Sequence, residues 1–137
     1  MKAQPMTISQ KDVDLMALAA TLTKFGGHCN QFIGCIIARR GRVLGTGSNR
    51  EKTHPTQKKY GGPKKQYLHA EIDALIEALH NCKDLSKATL YVTRRRKVDN
   101  VISMAFPCSS CMAAIREVGI KYVVFSNWGG KIEKLKI

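Results

Sequence analysis

Phe32-Ile33-Gly34-Cys35-Ile36-Ile37-Ala38, a turn at Arg40-Gly41, and Arg42-Val43-Leu44-Gly45-Thr46-Gly47 read together as an antiparallel β-hairpin. The first run is apolar except for Gly34, so its strand is expected to be covered on both faces. Upstream, Leu15, Leu18, Ala19, Leu22 and Phe25 recur at helical spacing until Gly26-Gly27 stops the pattern, which predicts an amphipathic helix. Downstream, residues 49 to 66 carry Asn49, Pro55, Gly61-Gly62-Pro63 and many lysines without periodicity, and they read as a long loop.

Ile72, Leu75, Ile76 and Leu79 then mark the face of a second helix, with Ala70, Ala74 and Ala78 supporting it. Thr89 to Thr93 is a β-rich run, and a basic stretch from 94 to 106 leads to Pro107. Cys111, Ile115 and Val118 share the face of a third helix, with Gly119 placed to cap it. Tyr122 to Ser126 is a further strand, and Ile132 to Ile137 suits an edge strand defended by Lys134 and Lys136. The order α-β-β-α-β-α-β-β predicts an α/β fold whose sheet is covered by helices on both faces. Asn127 to Lys131 is too short for a parallel crossover, so the last strand is expected to run antiparallel in a mixed sheet.

A chain of 137 residues, 44% apolar and 24% charged, suits one compact domain over residues 1–137 and excludes a disordered chain. It holds no run of eighteen apolar residues, and Met1 to Pro5 opens no secretory leader. A cytoplasmic protein without membrane partners is therefore expected. The five cysteines, Cys29, Cys35, Cys82, Cys108 and Cys111, are odd in number and unevenly spaced, which argues for metal binding or burial over a disulfide framework. Of the net charge of +13, nine units fall in segments 50–65 and 94–97, read as two basic loops that attract phosphate.

The chemistry is concentrated in His69-Ala70-Glu71, at the start of the second helix, and Pro107-Cys108-Ser109-Ser110-Cys111, at the start of the third. Either half alone is weak, since a lone Cys-x-x-Cys also serves redox pairs and structural zinc. Cysteines three apart on a first helical turn point the same way, and the helix N-terminus favours their thiolates. Two thiolates and one imidazole give zinc three ligands and leave its fourth position for water. Glu71, two residues from His69, faces the same cavity without having to ligate, and is the expected proton carrier. Pro107 suits a helix entry. The competing reading is a closed structural zinc site completed by Cys29, Cys35, Cys82, His28 or His54.

With these motifs the chain resembles the cytidine and deoxycytidylate deaminase superfamily in its His-Ala-Glu form, which also includes tRNA adenosine deaminases and polynucleotide cytosine deaminases. The likeness spans residues 30 to 126: Gly45-Thr46-Gly47-Ser48-Asn49, His69-Ala70-Glu71, Ala88 to Thr93, and Pro107 to Cys111 with Gly119-Ile120-Lys121. It implies a three-layer α/β/α sandwich around a five-stranded sheet, with zinc on His69, Cys108 and Cys111 and proton transfer by Glu71. Asn49 would contact the nucleoside, with Ala70 and Pro107 beside the substrate, and the chain would form a homo-oligomer. Residues 94 to 106 exceed the short link usual before the Pro-Cys motif, and the tail lacks a final helix crossover.

The expected reaction is hydrolytic deamination of a cytosine nucleotide similar to dCMP, with Arg50, Lys52, His54, Arg94, Arg95 and Arg96 available to phosphate. The first alternative is deamination of cytosine or adenine in single-stranded DNA or RNA. Against it stands the scarcity of aromatics near the basic segments, where only Tyr60, Tyr67 and Phe106 are candidates for stacking. A non-enzymatic zinc-stabilised nucleic-acid binder is a third reading, which predicts a filled zinc shell.

Overall fold

The computed structural model describes residues 4–26, 31–51, 54–61 and 67–137. Strands β1 (Gln4–Pro5), β2 (Gln31–Arg39), β3 (Arg42–Ser48), β4 (Thr89–Arg96), β5 (Ile102–Ser103), β6 (Tyr122–Ser126) and β7 (Ile132–Lys136) form one sheet. Its order is β1-β7-β6-β4-β2-β3, with β5 paired to the end of β4. The five longer strands make the core of the sheet. Only β4 and β6 run parallel; β2–β3, β2–β4 and β6–β7 are antiparallel. The hairpin closes where the sequence places it, through Arg40 and Gly41, both at positive φ (52° and 80°), a geometry that matches the twist of the flanking strands.

Strand alternation sorts the core into two layers. Cys35, Ile37, Leu90, Val92, Val123 and Phe125 face helices α3 (Ala70–Asn81) and α4 (Ser109–Glu117), whereas Ile36, Ala38, Tyr91 and Val124 face α1 (Gln10–Leu22). The result is a three-layer α/β/α sandwich, with β2 buried on both faces. Helix α3 lies almost on the backbone of β3. A Cβ on Gly47 would stand 2.2 Å from the Ala70 carbonyl oxygen, and one on Gly45 2.4 Å from that of Ala74. These glycines, facing the fully buried Ala70, Ala74 and Ala78, set the depth at which the N-terminus of α3 enters the fold. Among the described residues no helix is long and apolar enough to cross a membrane.

Several local expectations are corrected. In α1 the buried set is Asp12, Leu15, Met16 and Ala19, while Leu18 and Phe25 are 43% and 65% exposed. The α-helix ends at Leu22, and a 3-10 turn over Thr23–Phe25 swings Phe25 off the face. Asp12 is tolerated inside because it caps the helix with Ser9, accepts from Tyr91 Oη at 2.8 Å and pairs with Lys134 Nζ at 3.1 Å. Leu79 of α3 is likewise exposed, the alanines having taken its place against the sheet.

The long loop contains helix α2 (Pro55–Gly61), which Pro55 starts as the first helical residue. The basic run Arg94–Arg96 is not a loop but the end of β4, because β5 folds back to pair Ser103 with Arg94 and Ile102 with Arg95. Strand β7 is not a bare edge: Gln4 and Pro5 pair with Lys136 and Leu135 on its outer side.

Candidate active site

The zinc-type motifs meet at the start of two helices. His69 is the N-cap residue of α3 and Cys108 that of α4, so both side chains project from the helix entrances, while Cys111 sits fully buried in the first turn of α4. Pro107 is buried just ahead of the cap instead of inside the helix. The segment leading to Cys108 is strapped to β6. Ser126 Oγ donates to the Ser103 carbonyl at 2.9 Å, Ala105 N donates to the Ser126 carbonyl at 2.9 Å, and the Phe106 ring meets Phe125 edge-on at 5.1 Å. Gly119, at φ 92°, ends α4 as the sequence predicts.

His69 Nδ1 lies 3.3 Å from Cys111 Sγ and 3.8 Å from Cys108 Sγ, and all three ligand atoms fall within 4.8 Å of one another. Zinc bonds of about 2.0–2.1 Å to nitrogen and 2.3 Å to sulfur would separate tetrahedral N and S by about 3.5 Å, so these residues fit the ion. Hydrogen bonding from Cys111 and His69 draws the Cys108 thiol down to about 3, and the same bond, with burial, pushes Cys111 up. No fourth His, Cys, Asp or Glu joins this group among the described residues. Of the candidates for closing the shell, Cys35 is packed in the core, Cys82 donates to the Asp84 carbonyl, and His54 accepts from Thr56 N at the start of α2. His28 and Cys29 lie outside the described residues.

A cavity of about 130 Å³ opens beside the sulfurs, walled by Gln31, Ile33, Asn49, Tyr67, His69, Glu71, Arg94 and Cys108. Glu71 is 5% exposed, and burial raises its carboxyl above the ordinary value against the pull of its own backbone N–H and of His69. Asn49 is held by its side chain, accepting from Ile33 N and donating to the Gln31 carbonyl, both at 3.0 Å. Two buried polar atoms on the wall, Gln31 Oε1 and Arg94 Nε, find no hydrogen-bond partner among the described residues. Buried polar groups are costly to leave unpaired, so both atoms are available to a polar group in the cavity.

The basic residues separate. Among the described residues Arg94 alone of them lines the cavity. Arg95 points to the other face, over the Phe32 ring at 4.6 Å and beside Thr23 and Asn100. Arg96 pairs with Asp99 at 3.2 Å, and Arg50 with Asp73 at 3.3 Å. Lys52 lies outside the described residues. Ala70 is buried behind His69 and Glu71, so neither it nor Pro107 forms the cavity wall.

Sequence reasoning missed Gln31, Ile33 and Gln57. Gln57, fully buried in α2, accepts from His69 N at 3.0 Å and fixes the helix entrance that presents the imidazole. From the same helix Tyr60 donates to Glu117 and Lys59 pairs with it at 3.4 Å, so α2 bridges the two zinc-bearing helices. No pattern marked Gln57, because its role depends on a contact twelve residues away. Tyr67 was noted only as a possible stacking residue; its ring lies parallel to His69 at 5.0 Å, and its position two before the histidine on an extended approach was the available signal.

Three protein ligands leave a tetrahedral zinc one open position, the property that separates a catalytic centre from a structural one. At the helix entrances of an α/β/α sandwich, beside a buried carboxylate, that centre defines the zinc-dependent deaminase class. The chain belongs to the cytidine and deoxycytidylate deaminase zinc-binding family, whose pattern it matches over residues 9–127. It is 32% identical to deoxycytidylate deaminase of Saccharomyces cerevisiae, over 79% of this chain and 35% of that protein, so it spans about a third of that relative's length. Its fold is similar to that of dCMP deaminase from the cyanophage S-TIM5 (TM-score 0.66, 21% identity, 88% and 86% of the two chains), a protein also solved with dCMP and dUMP. It is also similar to a Thermotoga maritima diaminohydroxyphosphoribosylaminopyrimidine deaminase/reductase (TM-score 0.58, 27% identity, 85% of this chain and 29% of that one).

Proposed function

We propose that the protein hydrolyses the exocyclic amine of a cytosine nucleotide similar to dCMP, yielding the uracil nucleotide and ammonia. The observation that carries this reading is Arg94: a guanidinium whose buried Nε has no partner among the described residues, on the wall that also presents Glu71 and Cys108. A phosphate is the anion that such a fork recognises. Ile33 and Tyr67 supply flat and apolar walls for a pyrimidine, Asn49 and Gln31 contact the nucleoside, and Ala70 and Pro107 hold the ligand-bearing turns behind it. The yeast relative's activity and the phage enzyme's bound nucleotides point the same way.

Zinc held by His69, Cys108 and Cys111 would supply a polarised position for water. Glu71 would take the two protons of the attacking water in turn and pass one to the ring nitrogen and one to the departing amine, so that the C–N bond to the amine breaks, a C=O bond forms and ammonia leaves. Burial suits Glu71 to both duties by bringing its proton affinity nearer to neutrality.

The test is ammonia release from dCMP, cytidine and dAMP by the zinc-loaded protein. dCMP is expected to be converted to dUMP, with cytidine slower in kcat/KM by about 10- to 150-fold, the worth of a hydrogen bond to a charged group. Arg94→Ala should erase most of that difference. Preference for dAMP, or equal use of cytidine and dCMP, would contradict the assignment.

A further inference from the structure

The catalytic cavity does not end at Arg94. Along β2 and β4 the paired residues Ile33 and Arg94 form one rung, and Gln31 and Arg96 form the next on the same face. Gln31 walls the cavity and also a second, open groove of about 510 Å³ shared with Arg96, Val98 and Trp128. Two residues along a strand separate Arg94 from Arg96 by about 6.6–6.8 Å, close to the spacing of successive phosphates on an extended nucleic-acid strand.

Trp128 is 54% exposed, on a turn whose backbone is hydrogen-bonded. The Trp128 backbone N–H donates to Asn127 Oδ1 at 2.8 Å, and Asn127 N donates to the Lys131 carbonyl at 2.7 Å to close the turn. Gly129 and Gly130, at φ 76° and 81°, complete the turn. Strand β5, folded back on β4, packs against this turn and brings the indole to the groove. An exposed indole beside an arginine has the makings of a base-stacking platform. Arg96 is paired with Asp99, but both partners are about two-fifths exposed, and a phosphate competes readily with such a pair. The net charge of +13 favours a polyanion over a second copy of this chain.

We infer that the groove of Gln31, Arg96, Val98 and Trp128 is a subsite for the nucleotide adjoining the target cytosine in a single-stranded nucleic acid, its base stacked on Trp128 and its phosphate at Arg96. The inference rests on the reading of the catalytic cavity as a cytosine-nucleotide site and extends the substrate class from the free nucleotide to a strand.

Trp128 is the chain's one tryptophan, so intrinsic fluorescence reports on it directly. The full chain, loaded with zinc and carrying Glu71→Ala to prevent turnover, is titrated with dCMP and with a trinucleotide bearing a central cytosine. The trinucleotide is expected to quench the emission saturably and to bind about 5- to 150-fold more tightly than dCMP, the range for one base–aromatic stack. Arg96→Gln should lower the log–log salt slope of trinucleotide binding by about 0.7, one phosphate's share. Trinucleotide binding that leaves the emission unchanged, or quenching by dCMP to the same extent, overturns the inference. Wild-type turnover separates the two readings: dCMP deaminated without trinucleotide quenching defeats the subsite alone, whereas quenching by the trinucleotide with no deamination of dCMP defeats the free-nucleotide reading and leaves the groove supported.

Discussion

Glu71→Ala is expected to retain one zinc per chain and a native fold while losing kcat by about 10²–10⁴ or more, since a positioned acid–base group contributes that range and the proposed role gives this one several proton transfers. Zinc retention is the informative half. Glu71 is not part of the His69, Cys108 and Cys111 cluster, although it walls the same cavity. Elemental analysis alongside steady-state kinetics checks both parts. A variant stripped of zinc, or one within a few-fold of wild-type kcat, would show that Glu71 is a ligand in the first case or a bystander in the second.

The second large effect is expected from Cys111→Ala. Zinc bound to small domains contributes roughly 10–16 kcal/mol of apparent binding energy, and much of that energy becomes folding stability because the site exists only in the folded chain. Cys111 is fully buried, whereas Cys108 is exposed at the helix cap, so its loss removes a ligand and leaves a void in the core that α4 shares with β6. The variant should emerge without zinc and inactive, and its melting temperature should not respond to a chelator, whereas that of the wild type should fall on chelation. Full zinc occupancy in the variant would refute the ligand assignment.

The parts of this molecule that were legible in the sequence are those whose signals are local. Arg40-Gly41 announces a hairpin because only a tight turn with positive φ suits it, and Gly119 announces the end of α4 for the same reason. His69 and the two cysteines are legible because metal ligation imposes residue type and spacing together. Helix α2 was not legible: seven residues give two turns, too few for periodicity, and its anchors Gln57 and Tyr60 are polar and act through α3 and α4. The arginine run was misread for a related reason. A cluster of charge looks like a solvated loop, but in a strand the alternation sends Arg94 into the cavity, Arg95 across the sheet to Thr23, and Arg96 to the groove. Trp128 lies 32 residues beyond Arg96, and the parallel pairing of β4 with β6 carries both to the same end of the sheet.

The central claim is that hydrolysis of the amine depends on one zinc held by His69, Cys108 and Cys111. The most direct measurement is a titration: metal-stripped protein receives zinc in steps, and ammonia release from dCMP is recorded at each. Release is predicted to rise in proportion to zinc and to stop rising at one equivalent per chain. A protein that fills with one equivalent of zinc and releases no ammonia, or releases it equally well without zinc, would contradict the account.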